Sequence, residues 1–255
     1  MKILLTGRNG QVGSELEAIL HPTVATDHAT LDLADADAIR RTVRAAKPDV
    51  IINAAAYTAV DKAESEPDLA LLIHYSTDYI FDGTKRSPYV ETDPPKPVSV
   101  YGRTKLEGET RVRAAGCRHL ILRTAWVYGR GGNFVRAILR QAEKGASLRV
   151  VNDQIGAPTW ARDIARVTSD LLHKRAEGTF NVSASGSSSW YEVALEILRL
   201  VARKVEVTPV STAEYGAKAP RPAYSVLDNG RLRASGVTPI GDWRARLAEH
   251  LKSAA

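Results

Sequence analysis

The sequence predicts an α/β fold, a doubly wound parallel sheet that carries a smaller C-terminal lobe. Three observations predict it. Strand-length apolar runs alternate with amphipathic segments through the first half, a glycine-rich turn joins the first strand to the first helix, and the second half loses that regular alternation. Short buried strands separated by helices read as βαβ units, whose strands lie parallel with helices on both faces.

Taken in order, residues 2–6 read as a strand and 12–20 as the helix after it, with a short strand at 24–26. Over 35–46 the apolar residues Ala38, Ile39, Val43 and Ala46 fall on one helix face, and Pro48 stops the helix. Residues 50–53, 71–76 and 120–124 are apolar runs of buried-strand length. The second half carries helices at 132–144, 162–173, 190–203 and 242–252, and strands at 148–152 and 179–182. The Gly/Ser-rich run 183–189 is short enough to be a helix-capping turn, and 219–223 is a Pro-rich loop. These readings predict a first domain over 1–128 and a lobe over 129–255, with elements at about 148–175 returning to the first domain.

One stretch resists this pattern. Only about 16 residues separate the strand ending near Ala54 from the one starting at Leu71, barely room for a crossover helix. Glu66, Pro67 and Asp68 look like a helix start, yet Ala70 runs directly into the next strand. The expectation is that a segment is missing after Leu69 or Ala70. A weaker case stands near Lys204, where a helix meets a strand with no turn residue between them.

Of the 255 residues, 44% are hydrophobic and 25% charged, the balance of a soluble globular chain. The lone cysteine, Cys117, excludes an internal disulfide framework and fits a reducing cytoplasm, where it serves as a small apolar filler. The opening run MKILLTG is broken by glycines and predicts no secretory leader. No run approaches the roughly 20 apolar residues of a membrane span, so no membrane partner is expected. The net charge of +6 and pI near 9.4 raise nucleic acid as a partner. The cations, however, are interleaved with acids, as over 39–49, which argues against that partner. A cation excess also favours a doubly phosphorylated small ligand.

Two constellations carry chemistry. Gly7, Gly10, Gln11, Val12 and Gly13 lie between the first strand and helix, where small residues let the backbone approach a pyrophosphate and helix N–H groups meet its charge. With this turn in place the fold reads as a Rossmann-type doubly wound parallel sheet with a smaller C-terminal substrate-binding lobe. Asp32 and Leu33 are candidates for the adenine edge and Asp27 for the ribose, or either acid is a surface turn or cap. Arg8 meets a 2′-phosphate or faces water. Asn53, Ala54 and Ala55, continuing to Ala56, offer a floor of small residues beside a cofactor, or plain packing. The second constellation joins Ser76, Thr77 and Asp78, which close a buried strand, to Tyr101 and Lys105 about 25 residues on. On a helix the last two share a face. A phenol with a pKa of about 10 needs help to exchange protons near neutrality. A lysine ammonium one turn away can lower that pKa and hold the nicotinamide ribose, while the Thr77 or Ser76 hydroxyl orients a substrate carbonyl.

These residues, with the strings LLTGRNGQVGSEL, DVIINAAAYTAVDKAESEP, HYSTDYIFDG, VYGRTKLEGE, ILRTAWVYG, VVNDQIGAPT and RPAYSVLD, resemble the extended short-chain dehydrogenase/reductases. More narrowly, they are similar to the dTDP-4-dehydrorhamnose reductases. The resemblance implies Thr77, Tyr101 and Lys105 as the catalytic set, with Tyr101 the proton donor to the C4 oxygen of dTDP-4-dehydro-L-rhamnose. NADPH or NADH would supply hydride. It implies that Trp126 lies against the sugar or nucleotide, that Asn152, Asp153 and Gln154 with Gly156 to Pro158 form a loop closing over the substrate, and that Arg221 meets the diphosphate. Asp78 shapes the site or braces its turn. Some members carry Mg2+ at a dimer contact with a glutamate on the first helix, the position of Glu15, so a monomer or a homodimer is expected and no metal ligand is assigned. The family carries a longer stretch between ESEP and HYSTDY. Alternatives are another nucleotide-sugar ketoreductase or epimerase, or a non-catalytic subunit like the regulatory subunit of methionine adenosyltransferase. The last would have let the Tyr–Lys pair drift.

Overall fold

The computed structural model describes residues 1–55 and 71–253. In chain order its strands are β1 (Ile3–Thr6), β2 (Val24–Thr26), β3 (Val50–Asn53), β4 (Leu71–Thr77), β5 (His119–Thr124) and β6 (Val127–Tyr128). After these come β7 (Leu148–Val151), β8 (Ile155–Gly156), β9 (Thr159–Trp160), β10 (Gly178–Asn181), β11 (Ser188–Ser189) and β12 (Val207–Val210). The helices are α1 (Gln11–Leu20), α2 (Ala36–Ala46), α3 (Val100–Ala114), α4 (Phe134–Glu143) and α5 (Ala161–His173), then α6 (Trp190–Leu200), α7 (Thr212–Tyr215), α8 (Gly230–Ala234) and α9 (Trp243–Ser253). A single 3-10 turn, Asp78–Ile80, follows β4.

Six strands form the central sheet in the order β10-β5-β4-β3-β1-β2, with every pairing parallel. The chain leaves β1 toward β2 and then returns to β3 on the other side. The crevice past the carboxyl ends of β1 and β3 is therefore the topological switch point, where ligands bind in open α/β sheets. Strand alternation divides the core between the two faces. Leu71, Ile73 and Tyr75 of β4 join Leu120 and Leu122 of β5 in the large core beneath α1, α4, α5, α6 and α9. Leu72 and Ile121 face the other way and pack with Val112 of α3, with Cys117 against them as an apolar filler. The Tyr75 hydroxyl and Thr168 of α5 hydrogen-bond at 2.8 Å, tying the sheet to the helix that packs on α1.

Local signals account for the helix ends. Asp35 caps α2 by accepting from the Asp37 and Ala38 amides. Ser189 begins α6 with a capping box to Glu192, as the Ser-rich run predicts. Ser99 caps α3 through the Gly102 amide at 3.0 Å. Ser99→Ala is expected to cost about 1 kcal/mol, read from the denaturant midpoint; an unchanged midpoint would show that the cap is dispensable. The suspected gap after Leu69 or Ala70 lies outside the described residues. The gap suspected at Lys204 is corrected by the structure. Helix α6 stops at Leu200, Ala202 takes a left-handed φ of 52°, and the chain turns into β12 without needing glycine. Among the described residues no helix is long and apolar enough to cross a membrane.

Candidate active site

The glycine turn sits at the switch point and is shaped by close backbone approach. Gly7 has φ of +76°, and a Cβ there would lie 2.7 Å from the Ala55 amide nitrogen, so the turn rests directly on the chain leaving β3. Gly10 begins α1 with no side-chain cap, and no acid stands in its first turn. The helix N–H groups around Gln11, Val12 and Gly13 are thus left to an anion. Asn53 holds the floor in shape, its side-chain Oδ1 accepting from Thr6 Oγ1 at 3.0 Å and from the Ala55 amide at 3.2 Å. Arg8 is turned onto Glu17 of α1, with Nε at 3.1 Å. Asn9 donates to Asp27 at 2.8 Å, and Asp27 also closes a turn with Thr30. Asp32 is exposed on the loop after β2, where it caps the Ala34 amide, and Leu33 follows it half-buried.

The second constellation assembles where β4 ends. Thr77 caps the 3-10 turn by accepting from the Tyr79 amide at 3.2 Å, and its hydroxyl donates to Asp78 at 2.9 Å. Helix α3 lies hard against that turn: a Cβ on Gly102 would stand 2.1 Å from the Tyr79 carbonyl oxygen. This contact brings Tyr101 edge-on to Tyr79, with ring centroids 6.1 Å apart, and its phenol to the Thr77 hydroxyl. Lys105 is buried one turn on, its Nζ donating to the Tyr75 carbonyl at 2.5 Å. Ser76 is buried on the α3 side of β4, beside Glu109. Thr77, Asp78, Tyr101 and Lys105 therefore form one group beyond the carboxyl end of the sheet.

Electrostatics here differ from the simple expectation that Lys105 lowers the phenol pKa. Surrounding protein pushes Tyr101 above the ordinary tyrosine value, the Thr77 hydroxyl opposing and Asp78 adding a smaller rise. Burial meanwhile brings Lys105 down to about 8, with Glu109 working against the fall. Desolvation outweighs the Thr77 hydrogen bond at Tyr101 and the Glu109 charge at Lys105. Asp78 is pushed up to about 7 by burial, opposed by the Ser225 and Thr77 hydroxyls. A carboxyl whose folded pKa lies above its unfolded value destabilises the protein as pH rises from about 4 to 7. Asp78→Asn is accordingly expected to raise Tm by a few degrees at pH 8, the gain vanishing toward pH 4. Equal Tm for parent and variant at pH 8 would contradict a strained buried carboxylate.

The remaining candidates lie on other walls. Trp126, with φ of 45°, stacks on Trp190 at 3.6 Å and lines a cavity of about 140 Å3 with Gln11, Phe134 and Pro158. Its indole nitrogen and the Gln11 side-chain oxygen are buried without hydrogen-bond partners among the described residues. Asn152 accepts from Ser189, Asp153 holds Thr212, and the buried Gln154 donates to Thr212 at 2.9 Å, so this loop is tied into the C-terminal lobe. Arg221 reaches the Tyr79 phenol from the late Pro-rich loop, which brings a cation to the Thr77–Tyr101 group. Glu15 is half-buried on α1, and among the described residues no cluster of three or more His, Cys, Asp or Glu is placed to hold a metal ion.

Sequence reasoning missed three residues beneath α3: His74, Glu109 and Arg123. Arg123 interrupts the apolar run of β5, and a charge in a buried strand demands a partner, a signal that was present.

Comparison with known proteins shows the family of the chain. The model of the RmlD substrate binding domain matches residues 1–71 and 69–255, two pieces that meet where the crossover is short, and the second runs unbroken through Lys204. A dTDP-4-dehydrorhamnose reductase of Burkholderia thailandensis is 42% identical, with 96% of each chain covered. The crystal structure of a dTDP-4-dehydrorhamnose reductase from Clostridium acetobutylicum is 38% identical, with TM-score 0.92 over 100% of this chain and 99% of that one. That of a dTDP-4-dehydrorhamnose reductase from Bacillus anthracis, in complex with NADP, is 34% identical, with TM-score 0.91 over 99% of this chain and 100% of that one. The chain belongs to the RmlD substrate binding domain family, together with the dTDP-4-dehydrorhamnose reductases.

Proposed function

We propose that the chain reduces the C4 ketone of dTDP-4-dehydro-L-rhamnose to dTDP-L-rhamnose with NADPH, in the cytoplasm. The observation that carries this reading is the joining of Thr77, Asp78, Tyr101 and Lys105 at the end of β4, in a relative of the reductases. The residues of the turn fit a dinucleotide, since the close approach at Gly7 and the uncapped start of α1 leave backbone N–H groups for a pyrophosphate. Gly7, Gly10, Gln11, Val12 and Gly13 would hold it, with Asn53, Ala54 and Ala55 as floor, Asp32 and Leu33 toward the adenine, and Ser76, Tyr101 and Lys105 toward the nicotinamide end. Bound NADPH supplies hydride to C4.

The chain's own residues do the rest. Tyr101 donates its proton to the C4 oxygen as negative charge develops there. Thr77 turns its one hydroxyl proton from Asp78 to the same oxygen, and Lys105 stabilises the phenolate that remains. A raised phenol pKa keeps the proton in place until the alkoxide forms. Asp78, Trp126, Asn152, Gln154 and Arg221 make up the substrate walls, Arg221 toward the diphosphate. In this division residues 1–128 hold the cofactor and residues 129–255 mainly the nucleotide sugar. NADPH consumption followed with dTDP-4-dehydro-L-rhamnose tests the reading: turnover yielding dTDP-L-rhamnose is expected, and no turnover by a protein that binds NADPH would overturn it.

A further inference from the structure

A set of charges is buried under α3, outside the residues given a role above. Glu109, fully buried, stands one helical turn beyond Lys105. Its oxygens accept from Arg123 Nε at 3.0 Å and Nη2 at 2.8 Å, and from Arg113 at 2.7 Å. Arg123, also buried, spends Nη1 on the Glu91 carbonyl at 3.0 Å. A buried ion pair is a poor source of stability, because apolar side chains of similar volume commonly serve as well or better. Its place four residues from Lys105 supplies another reason for it.

The groups around Lys105 come from three elements. His74 faces it from β4, buried and with neither ring nitrogen hydrogen-bonded among the described residues, and desolvation holds it neutral down to about pH 4. Arg123 comes from β5, and Tyr101, Glu109 and Arg113 lie on α3 itself. Within this set Glu109 is the one anion near neutrality, and burial of Lys105 disfavours its charged form.

We propose that Glu109, clamped by Arg123, is a positioning residue that keeps Lys105 a buried ammonium aimed at the Tyr75 carbonyl, and thereby sets the alkaline limit of turnover. The proposal rests on the Tyr101–Lys105 assignment made above. In that assignment Lys105 meets the reacting groups, and Glu109 acts only through it.

The test is the pH profile of kcat for the full chain with NADPH and dTDP-4-dehydro-L-rhamnose. In Glu109→Gln the alkaline limb is expected to move to lower pH by about one unit, so that the loss is about tenfold on the alkaline side and small at the acid end. Glu109→Asp should return the limb toward the parent. Because Glu109→Gln leaves the Arg123 charge without its carboxylate, Glu109→Gln/Arg123→Gln is the second variant, and its limb should also be lowered. A folded variant of either kind whose alkaline limb matches the parent, whatever its Tm, overturns the proposal. So does failure of both to fold, which would make the pair structural. Failure of the underlying assignment is distinguishable: Tyr101→Phe would then retain turnover.

Discussion

Tyr101→Phe is expected to lower kcat by about 10²–10⁴-fold, with NADPH affinity and Tm close to the parent. The phenol is half exposed and its ring is held by an edge-on contact with Tyr79, so phenylalanine keeps the packing and loses only the hydroxyl. The variant loses both the contact between the phenol and the Thr77 hydroxyl and the proton that Tyr101 gives to the C4 oxygen. A remaining Thr77 hydroxyl and Lys105 ammonium still polarise a ketone, which is why some turnover should survive. Turnover within threefold of the parent would place the proton donor elsewhere, and Asp78, a carboxyl with its pKa near 7, is the group to examine next. A matching fall in Tm would instead mean that the hydroxyl has a structural role.

Much of the site was legible because its parts are local in sequence. The glycine turn, the strand end Ser76–Thr77–Asp78 and the Tyr101–Lys105 spacing each report their own chemistry, and their order along the chain implies the sheet that joins them. Strand limits at β2 and β3 coincide with the apolar runs, although β2 is a half-buried edge strand and β3 alternates between buried and half-buried positions. What was not legible depends on pairing between distant segments. The two-residue strands β6, β8, β9 and β11 are too short to leave a periodic trace, and which late strand completes the central sheet is decided by β10 meeting β5. Trp126 could be read as an aromatic, but not as one face of a stack with Trp190, 64 residues away in the chain. The sign of the Tyr101 shift was missed for a related reason. Sequence spacing shows the neighbouring ammonium, whereas desolvation comes from everything that packs around it.

Gly7→Ala is expected to abolish dinucleotide binding while weakening the fold. At φ of +76° an L side chain pays about 1–2 kcal/mol for the left-handed backbone. Relaxing that strain is blocked, because the new methyl would stand 2.7 Å from the Ala55 nitrogen and 2.8 Å from the Ala54 carbonyl carbon, both backbone atoms that cannot swing aside. The turn must lift off β3, and with it goes the hydrogen bond that the Gly10 N–H donates to the Gly7 carbonyl at the start of α1. The helix N–H groups then no longer point into the switch-point crevice, so an NADP titration should show affinity down by at least about 100-fold, roughly 2.7 kcal/mol. The loss should exceed what the fall in Tm alone accounts for, since the strained backbone is the stretch that would face the dinucleotide. A variant with lowered Tm but parental NADP affinity would show that the dinucleotide does not depend on the glycine turn, and the assignment of Gly7, Gly10 and Gly13 would have to be abandoned.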